Sequence, residues 1–209
     1  MSLQLQQVRI AVGGRELVRR LDAEVERGTV LALMGPSGSG KSSLLAWIAG
    51  TLEAPFVAEG RVLLDGVDIG GEPVQRRRIG LLFQDDLLFP HLSVLGNLLF
   101  ALPEGRRAER VARAQAALEH AGLAGYGPRW PHSLSGGQRA RVSLLRALLA
   151  EPKALLLDEP FAQLDTALRE QMRRYTFDTL VERGVPTVLV THDAADVPAG
   201  ATCLQLAAP

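Results

Sequence analysis

One short run in the first fifth of the chain has the residue types and spacing to hold a chain of phosphates. Gly35, Pro36, Ser37, Gly38, Ser39, Gly40, Lys41 and Ser42, followed by Ser43, match the pattern Gly, any four residues, then Gly-Lys-Ser/Thr in full. A triphosphate concentrates negative charge that must be met by donors at close range. Glycines let the backbone bend until successive N–H groups point into one concavity. A helix starting near Lys41 adds its positive dipole end. In such a loop the Lys41 ammonium reaches the β- and γ-phosphates, and the Ser42 hydroxyl is placed to ligate Mg²⁺.

A second group lies far along the chain. Ala154-Leu-Leu-Leu-Asp158-Glu159 puts two carboxylates at the end of an apolar run. In open α/β sheets ligands collect at the carboxyl ends of strands. Asp158 suits Mg²⁺ held through its water shell, and Glu159 is placed to activate the attacking water as a general base. Leu134-Ser135-Gly136-Gly137-Gln138 forms a second glycine turn opening a helix, and so a second place for an anion.

The surrounding residues supply elements to carry these groups. Leu3–Ile10 and Leu21–Val25 alternate apolar and polar side chains, the pattern of half-buried strands. Val30–Met34, Ala154–Leu157 and Thr187–Val190 are continuous apolar runs, as in strands buried on both faces. Arg61–Leu64 and Ile79–Phe83 read as further short strands. Helices are expected over Ser42–Ala49, closed by Gly50, over Glu104–Ala121, Gln138–Ala150 and about Thr166–Glu182. Ala201–Pro209 reads as a short last strand and a frayed end. Strands alternating with helices give an α/β core, which residues 86–151 interrupt as a helical insertion.

Composition narrows the class. The 209 residues, 47% apolar, suffice for a sizeable core. The balance of 23 basic against 23 acidic side chains argues against a generic nucleic-acid binder, whose counterion release needs a basic face. Cys203 is the single cysteine, so no internal disulfide framework is expected. No signal pattern opens the chain. No run reaches the roughly 18 apolar residues of a membrane span, since His91, Ser93 and Asn97 interrupt Leu87–Leu102, and a soluble chain is expected.

Two phosphate-grade turns with one acidic pair are unusual for a simple kinase or GTPase, and no Asn-Lys-x-Asp guanine motif is present. The set resembles the ATP-binding subunits of ABC transporters, in which Leu134–Gln138 is the signature pentapeptide, here 20 residues before Asp158. The resemblance implies a P-loop NTPase (RecA-like) α/β core, 1–85 and 152–209. An N-terminal antiparallel β-subdomain and an inserted α-helical subdomain, 86–151, complete a single ABC ATPase domain. It implies ATP and Mg²⁺ as ligands. Gln84 then senses Mg²⁺, with Ser42 and Asp158 as the other metal residues. His192 is the switch histidine at the γ-phosphate, and Asp165 belongs to the loop that communicates across a dimer.

The resemblance further implies a head-to-tail homodimer with each ATP between one copy's phosphate loop and the other's Ser135, Gly136, Gly137 and Gln138. Phe89–Asn97 resembles a segment of bacterial importer ATPases, those of thiamine, iron, molybdate, polyamine and sugar uptake. Exposed apolar residues there, Phe89 and Leu92 for example, would dock a membrane permease. Import, a solute-binding protein in the same system, and a place on the cytoplasmic face of the inner membrane follow as expectations. A soluble ABC-type ATPase uncoupled from transport is the alternative.

Three departures carry expectations of their own. Val12 stands where the family usually has an aromatic residue stacked on adenine, so adenine is expected to be held by apolar contact alone, with ATP less favoured over GTP. Ala162-Gln163 replaces a more usual Ser-Ala. The chain stops at Pro209, so no regulatory β-domain is expected in cis.

Overall fold

The computed structural model describes residues 2–207; Ala208 and Pro209, at the expected frayed end, lie outside the described residues. The elements run β1 (Leu3–Val12), β2 (Arg15–Val25), β3 (Val30–Met34), α1 (Lys41–Ala49), β4 (Phe56–Leu64) and β5 (Val67–Asp68). Then follow α2 (Val74–Arg77), β6 (Ile79–Leu82), α3 (Val94–Ala101), α4 (Arg107–His120), α5 (Gly136–Leu149) and β7 (Ala154–Asp158). The chain closes with α6 (Thr166–Arg183), β8 (Thr187–Val190) and β9 (Thr202–Gln205).

Two sheets form, one ordered β2-β1-β4-β5 and the other β6-β7-β8-β3-β9. The first is antiparallel. In the second, β7, β8, β3 and β9 pair in parallel. This is the α/β class expected from the apolar runs. The residues cluster into two compact units. One holds the chain up to Leu81, Lys153–Glu159 and everything from Leu180 onward; the other holds Leu82–Pro152 and Pro160–Thr179. The segment 160–179, which the sequence reading leaves with the core, thus clusters with the helices of the second unit.

In the first unit, β1 shows why alternation decides register. Leu3, Leu5, Val8 and Ile10 are all at most 1% exposed, although two residues separate Leu5 from Val8. Leu5 faces Ala23 and Val8 faces Leu21, so β1 uses one residue more than β2 over this stretch. Gln7 takes φ 52 there, and both its amides donate to the Asp22 carboxylate. The bulge absorbs the extra residue and returns Val8 to the core face. That face packs with Leu44, Leu45 and Ile48 of α1 in one apolar cluster, together with Leu31 and Leu33 of β3.

In the second unit, α3 is an element the sequence reading did not contain. Its residues are almost all apolar, so no 3.6-residue alternation marks it. Ser93 caps it by accepting from Gly96 N–H at 3.1 Å. The buried Asn97 carboxamide accepts from Phe89 N–H and donates to the carbonyls of Phe89, Leu92 and Ser93, tying the preceding loop to the helix.

Candidate nucleotide site

The phosphate loop begins where β3 ends. Pro36–Gly38 are exposed at its tip, whereas Ser39 and Gly40 are buried. Gly40 takes φ 89, and a Cβ there would lie 2.9 Å from Leu17 Cβ of β2. Glycine is therefore required by conformation and by space alike. The α1 helix starts at the next residue, its N-terminal N–H groups uncapped by any side chain, and ends at Gly50 in the left-handed region. Lys41 Nζ donates to the Gly35 and Pro36 carbonyls, each at 2.8 Å, and to Ser39 Oγ at 3.4 Å. The ammonium is thus fixed over the loop, beside the positive end of the helix. Ser42 is exposed and Ser43 half-buried.

Strand β7 is buried along its length until Asp158, where it emerges. The Ser42 hydroxyl and the Lys41 ammonium both act on the Asp158 carboxyl, which sets the acidic strand end beside the phosphate loop. Burial raises the Asp158 carboxyl above its ordinary value. Glu159 adds to the rise, while the Ser42 hydrogen bond and the Lys41 charge oppose it.

Glu159 follows at φ 47, an uncommon conformation for a residue with a side chain. Its N–H donates to Val190 O at 3.0 Å, so the end of β8 holds the turn. His192 Nδ1 lies 3.1 Å from Glu159 Oε1. The turn carrying His192 is fixed by Thr191, whose hydroxyl donates to Asp196 at 3.1 Å and accepts from Asp193 N–H at 3.1 Å. The first unit therefore gathers the loop Gly35–Ser43, Asp158, Glu159 and His192 at one end of the parallel sheet. Val12 is half-buried at the end of β1, opposite Arg15 on one side and Phe56 on the other.

The remaining expected residues belong to the second unit. Ser135 and Gln138 form a reciprocal cap at the start of α5: Ser135 N–H donates to Gln138 Oε1 at 2.9 Å, and Gln138 N–H to Ser135 Oγ at 3.3 Å. Gln138 Nε2 also donates to the Tyr126 hydroxyl at 3.3 Å. A Cβ on Gly137 would lie 3.0 Å from the Gln163 carbonyl oxygen, and one on Gly136 3.2 Å from Gln163 Oε1. Gln163, noted in the sequence only as a departure, thus lies against the signature turn. Asp165 caps α6, accepting from Leu168 N–H at 3.1 Å. Gln84 is exposed in the bend after β6.

Phe89 and Leu92, expected to be exposed, are half-buried: Phe89 packs edge-on against Phe100 and lies under the Arg146 guanidinium. The exposed apolar surface of this region is instead Phe100 at 68%, Leu87 at 55% and Phe83 at 42%.

Sequence reasoning also passed over the side chains that set these groups. Asp86 pairs with Arg139 at 2.9 Å, and its carbonyl accepts from Ser143 at 2.7 Å, which anchors the segment after Gln84 on α5. Arg77 is buried and donates to the carbonyls of Trp47, Ile48, Gly70 and Glu72, closing the far end of α1. A buried arginine amid a basic run carries no sequence signal, because its partners are backbone carbonyls, two of them about thirty residues away.

The donors fit a hard cation. Among the described residues no group of three or more His, Cys, Asp or Glu could enclose a metal. The Ser42–Asp158 pair instead offers one hydroxyl and one carboxylate beside the phosphate loop, the partial oxygen shell that suits Mg²⁺ when phosphates and water complete it.

The family model described as "ABC transporter" matches residues 18–162. The "Uncharacterized ABC transporter ATP-binding protein YnjD" of Escherichia coli (strain K12) is 48% identical over 194 residues, covering 91% of this chain and 88% of that protein. The sulfate/thiosulfate import ATP-binding protein CysA of Thermosynechococcus vestitus is 45% identical over 92% of this chain, and the Fe(3+) ions import ATP-binding protein FbpC of Pseudomonas fluorescens is 43% identical over 93%. The chain spans 57% and 55% of those two proteins. Among solved structures, the ATP-binding cassette MJ0796, dimeric and bound to ADP and Pi, matches with a TM-score of 0.85 at 30% identity, covering 98% of this chain and 94% of that one. With the phosphate loop, the acidic strand end and the signature turn all in place, the chain belongs to the ABC transporter family, as an ATP-binding ABC-type ATPase cassette.

Proposed function

We propose that this chain is the ATP-hydrolysing subunit of a bacterial importer, driving solute uptake through a separate membrane permease. The observation that carries the hydrolytic part is the Glu159–His192 pair, 3.1 Å apart, at the strand end where Asp158 feels the Ser42 hydroxyl and the Lys41 charge. The loop N–H groups and Lys41 bind and orient the phosphates, and the α1 dipole adds to their field. Ser42 and Asp158 would hold Mg²⁺, which would supply charge neutralisation to the phosphates. Gln84 takes the Mg²⁺-sensing role that the family resemblance gives it. Glu159 accepts the proton of the attacking water, and His192, tied to Glu159, steadies the γ-phosphate. No covalent intermediate on the chain is needed, since phosphoryl transfer of this kind is positioning plus electrostatics.

Two copies act head to tail, with Ser135–Gln138 and Asp165 of one copy facing the nucleotide of the other. Relatives named as import ATP-binding proteins support the importer reading, and with them a permease, a solute-binding protein and a position on the cytoplasmic face of the membrane. No helix among the described residues is long and apolar enough to cross a membrane.

Glu159→Gln tests the reading. The variant is expected to bind ATP like the native chain and to hydrolyse it at least about 100-fold more slowly, the usual worth of a general base. Native turnover in Glu159→Gln overturns the assignment of the base.

A further inference from the structure

We infer that Phe56 supplies the ring against which the base of the bound nucleotide rests, an inference that depends on the nucleotide reading above. The phosphate loop holds one end of the ligand, so the base must find apolar surface within a nucleotide's length of Gly40. Strand β2 touches the loop at that point, for a Cβ on Gly40 would meet Leu17 at 2.9 Å and Val18 at 3.3 Å. Val18 pairs with Ile10, and Ile10 with Ala58, so these three form one row across the sheet face that packs with α1. The next row outward sets Phe56 directly opposite Val12. Strands about 4.8 Å apart and rows about 7 Å apart put the Phe56 backbone within roughly 12 Å of Val18.

Side-chain direction agrees. Phe56 and Ala58 pack toward the apolar cluster, whereas Val57 between them is 66% exposed. The Phe56 ring therefore lies on the face that touches the loop, and at half-burial it keeps open surface at the rim of that face. The first unit contains one other aromatic residue, Trp47. Trp47 stands seven residues beyond Gly40, about 10 Å along the axis of α1, and its carbonyl is bound by Arg77 at the far end of that helix. Phe56 is thus the ring that flanks the phosphate end. The sequence carries no aromatic at Val12, and β4 brings one in from across the strand.

Stacking on a ring is tolerant of base identity, because every base has a π-face. The ligand class is accordingly a purine nucleoside triphosphate, with little choice between adenine and guanine.

Titration calorimetry with Mg²⁺ tests this using ATP, GTP and inorganic tripolyphosphate as ligands. The chains compared are the native protein, Phe56→Leu, Phe56→Tyr and the double variant Phe56→Leu/Val12→Tyr. Leucine keeps apolar packing against the core and removes the ring. Phe56→Leu should weaken ATP and GTP alike by about 2- to 12-fold and leave tripolyphosphate unchanged. Phe56→Tyr and the double variant should bind ATP as the native chain does. Native ATP affinity in Phe56→Leu overturns the inference, and so does an equal loss for tripolyphosphate, which would mean that the loop itself was disturbed. A native chain that binds tripolyphosphate as tightly as ATP overturns it too. A native chain that binds neither ligand overturns the nucleotide reading, and this inference with it.

Discussion

Asp158, proposed here to help hold Mg²⁺, is a side chain whose burial costs stability. Its carboxyl is raised from the ordinary 3.8, chiefly by burial. The native chain therefore holds that proton to higher pH than the unfolded chain does. Stability falls as pH rises from about the ordinary value through the raised one, and above that window the whole cost of the buried charge is present. Asp158→Asn should melt higher than the native chain at neutral pH in the absence of nucleotide and Mg²⁺. The gap should close as the pH falls to 3.8 and below. Melting temperatures of both chains over that range check it, and a gap independent of pH would place the effect elsewhere. The neighbouring Glu159 is held by its backbone bond to Val190 in a conformation few side chains adopt, the kind of local strain that clusters at working sites.

At the scale of elements, α1 is held at both ends by unlike means. Its N-terminus is left open toward the phosphates, while its C-terminus is closed by Arg77 and Gly50. Arg77→Met would strip partners from buried carbonyls at the end of the helix. The expected loss is about 2–4 kcal/mol of stability, read from denaturant unfolding, with ATP affinity reduced as the helix loosens. A cost within 0.5 kcal/mol, roughly the range of ordinary surface substitutions, would show that water replaces the guanidinium. In the second unit, Asn97 and Asp86 pin the segment between β6 and α3, and Phe83, Leu87 and Phe100 remain exposed beside it. Exposed apolar side chains gathered on one stretch suit a partner surface. Leu87→Asp and Phe100→Asp should each abolish solute uptake with the cognate permease and leave the ATPase rate of the isolated chain within about twofold, since exposed substitutions hardly disturb folding. Uptake at the native rate in both variants would remove this surface from the coupling.

At the scale of the molecule, the signature turn and the phosphate loop belong to different compact units, and the proposed head-to-tail pair would complete each site with a second copy. Glu159→Gln should therefore run as a monomer without nucleotide and as a dimer with saturating Mg-ATP when its mass is measured by light scattering. Ligand that binds only the paired state shifts the equilibrium by mass action. A monomer at saturating ATP, in a variant shown to bind it, would remove the head-to-tail pair of isolated chains and leave assembly to the permease.

The sequence by itself announced the motifs of the proposed nucleotide site and the buried strands that lead into two of them. Gly35–Ser42, Leu134–Gln138 and Asp158-Glu159 are local patterns, and their physical requirements are met within a few residues of the chain. The buried runs Val30–Met34, Ala154–Leu157 and Thr187–Val190 likewise announce central strands because both faces must be apolar. Tertiary structure decided what depends on distant partners. Helix α3 has no alternation to mark it, and Phe89 and Leu92 looked exposed because nothing local shows Phe100 and Arg146 closing over Phe89. Arg77 is one arginine among several until four distant or neighbouring carbonyls converge on it. Phe56 became a candidate for the base only through register, since it is the hydrogen-bonded pairing of β1 with β4 that sets it beside Val12. Spacing along a chain reports what neighbours do to one another, while strand pairing and burial are set by residues dozens of positions away.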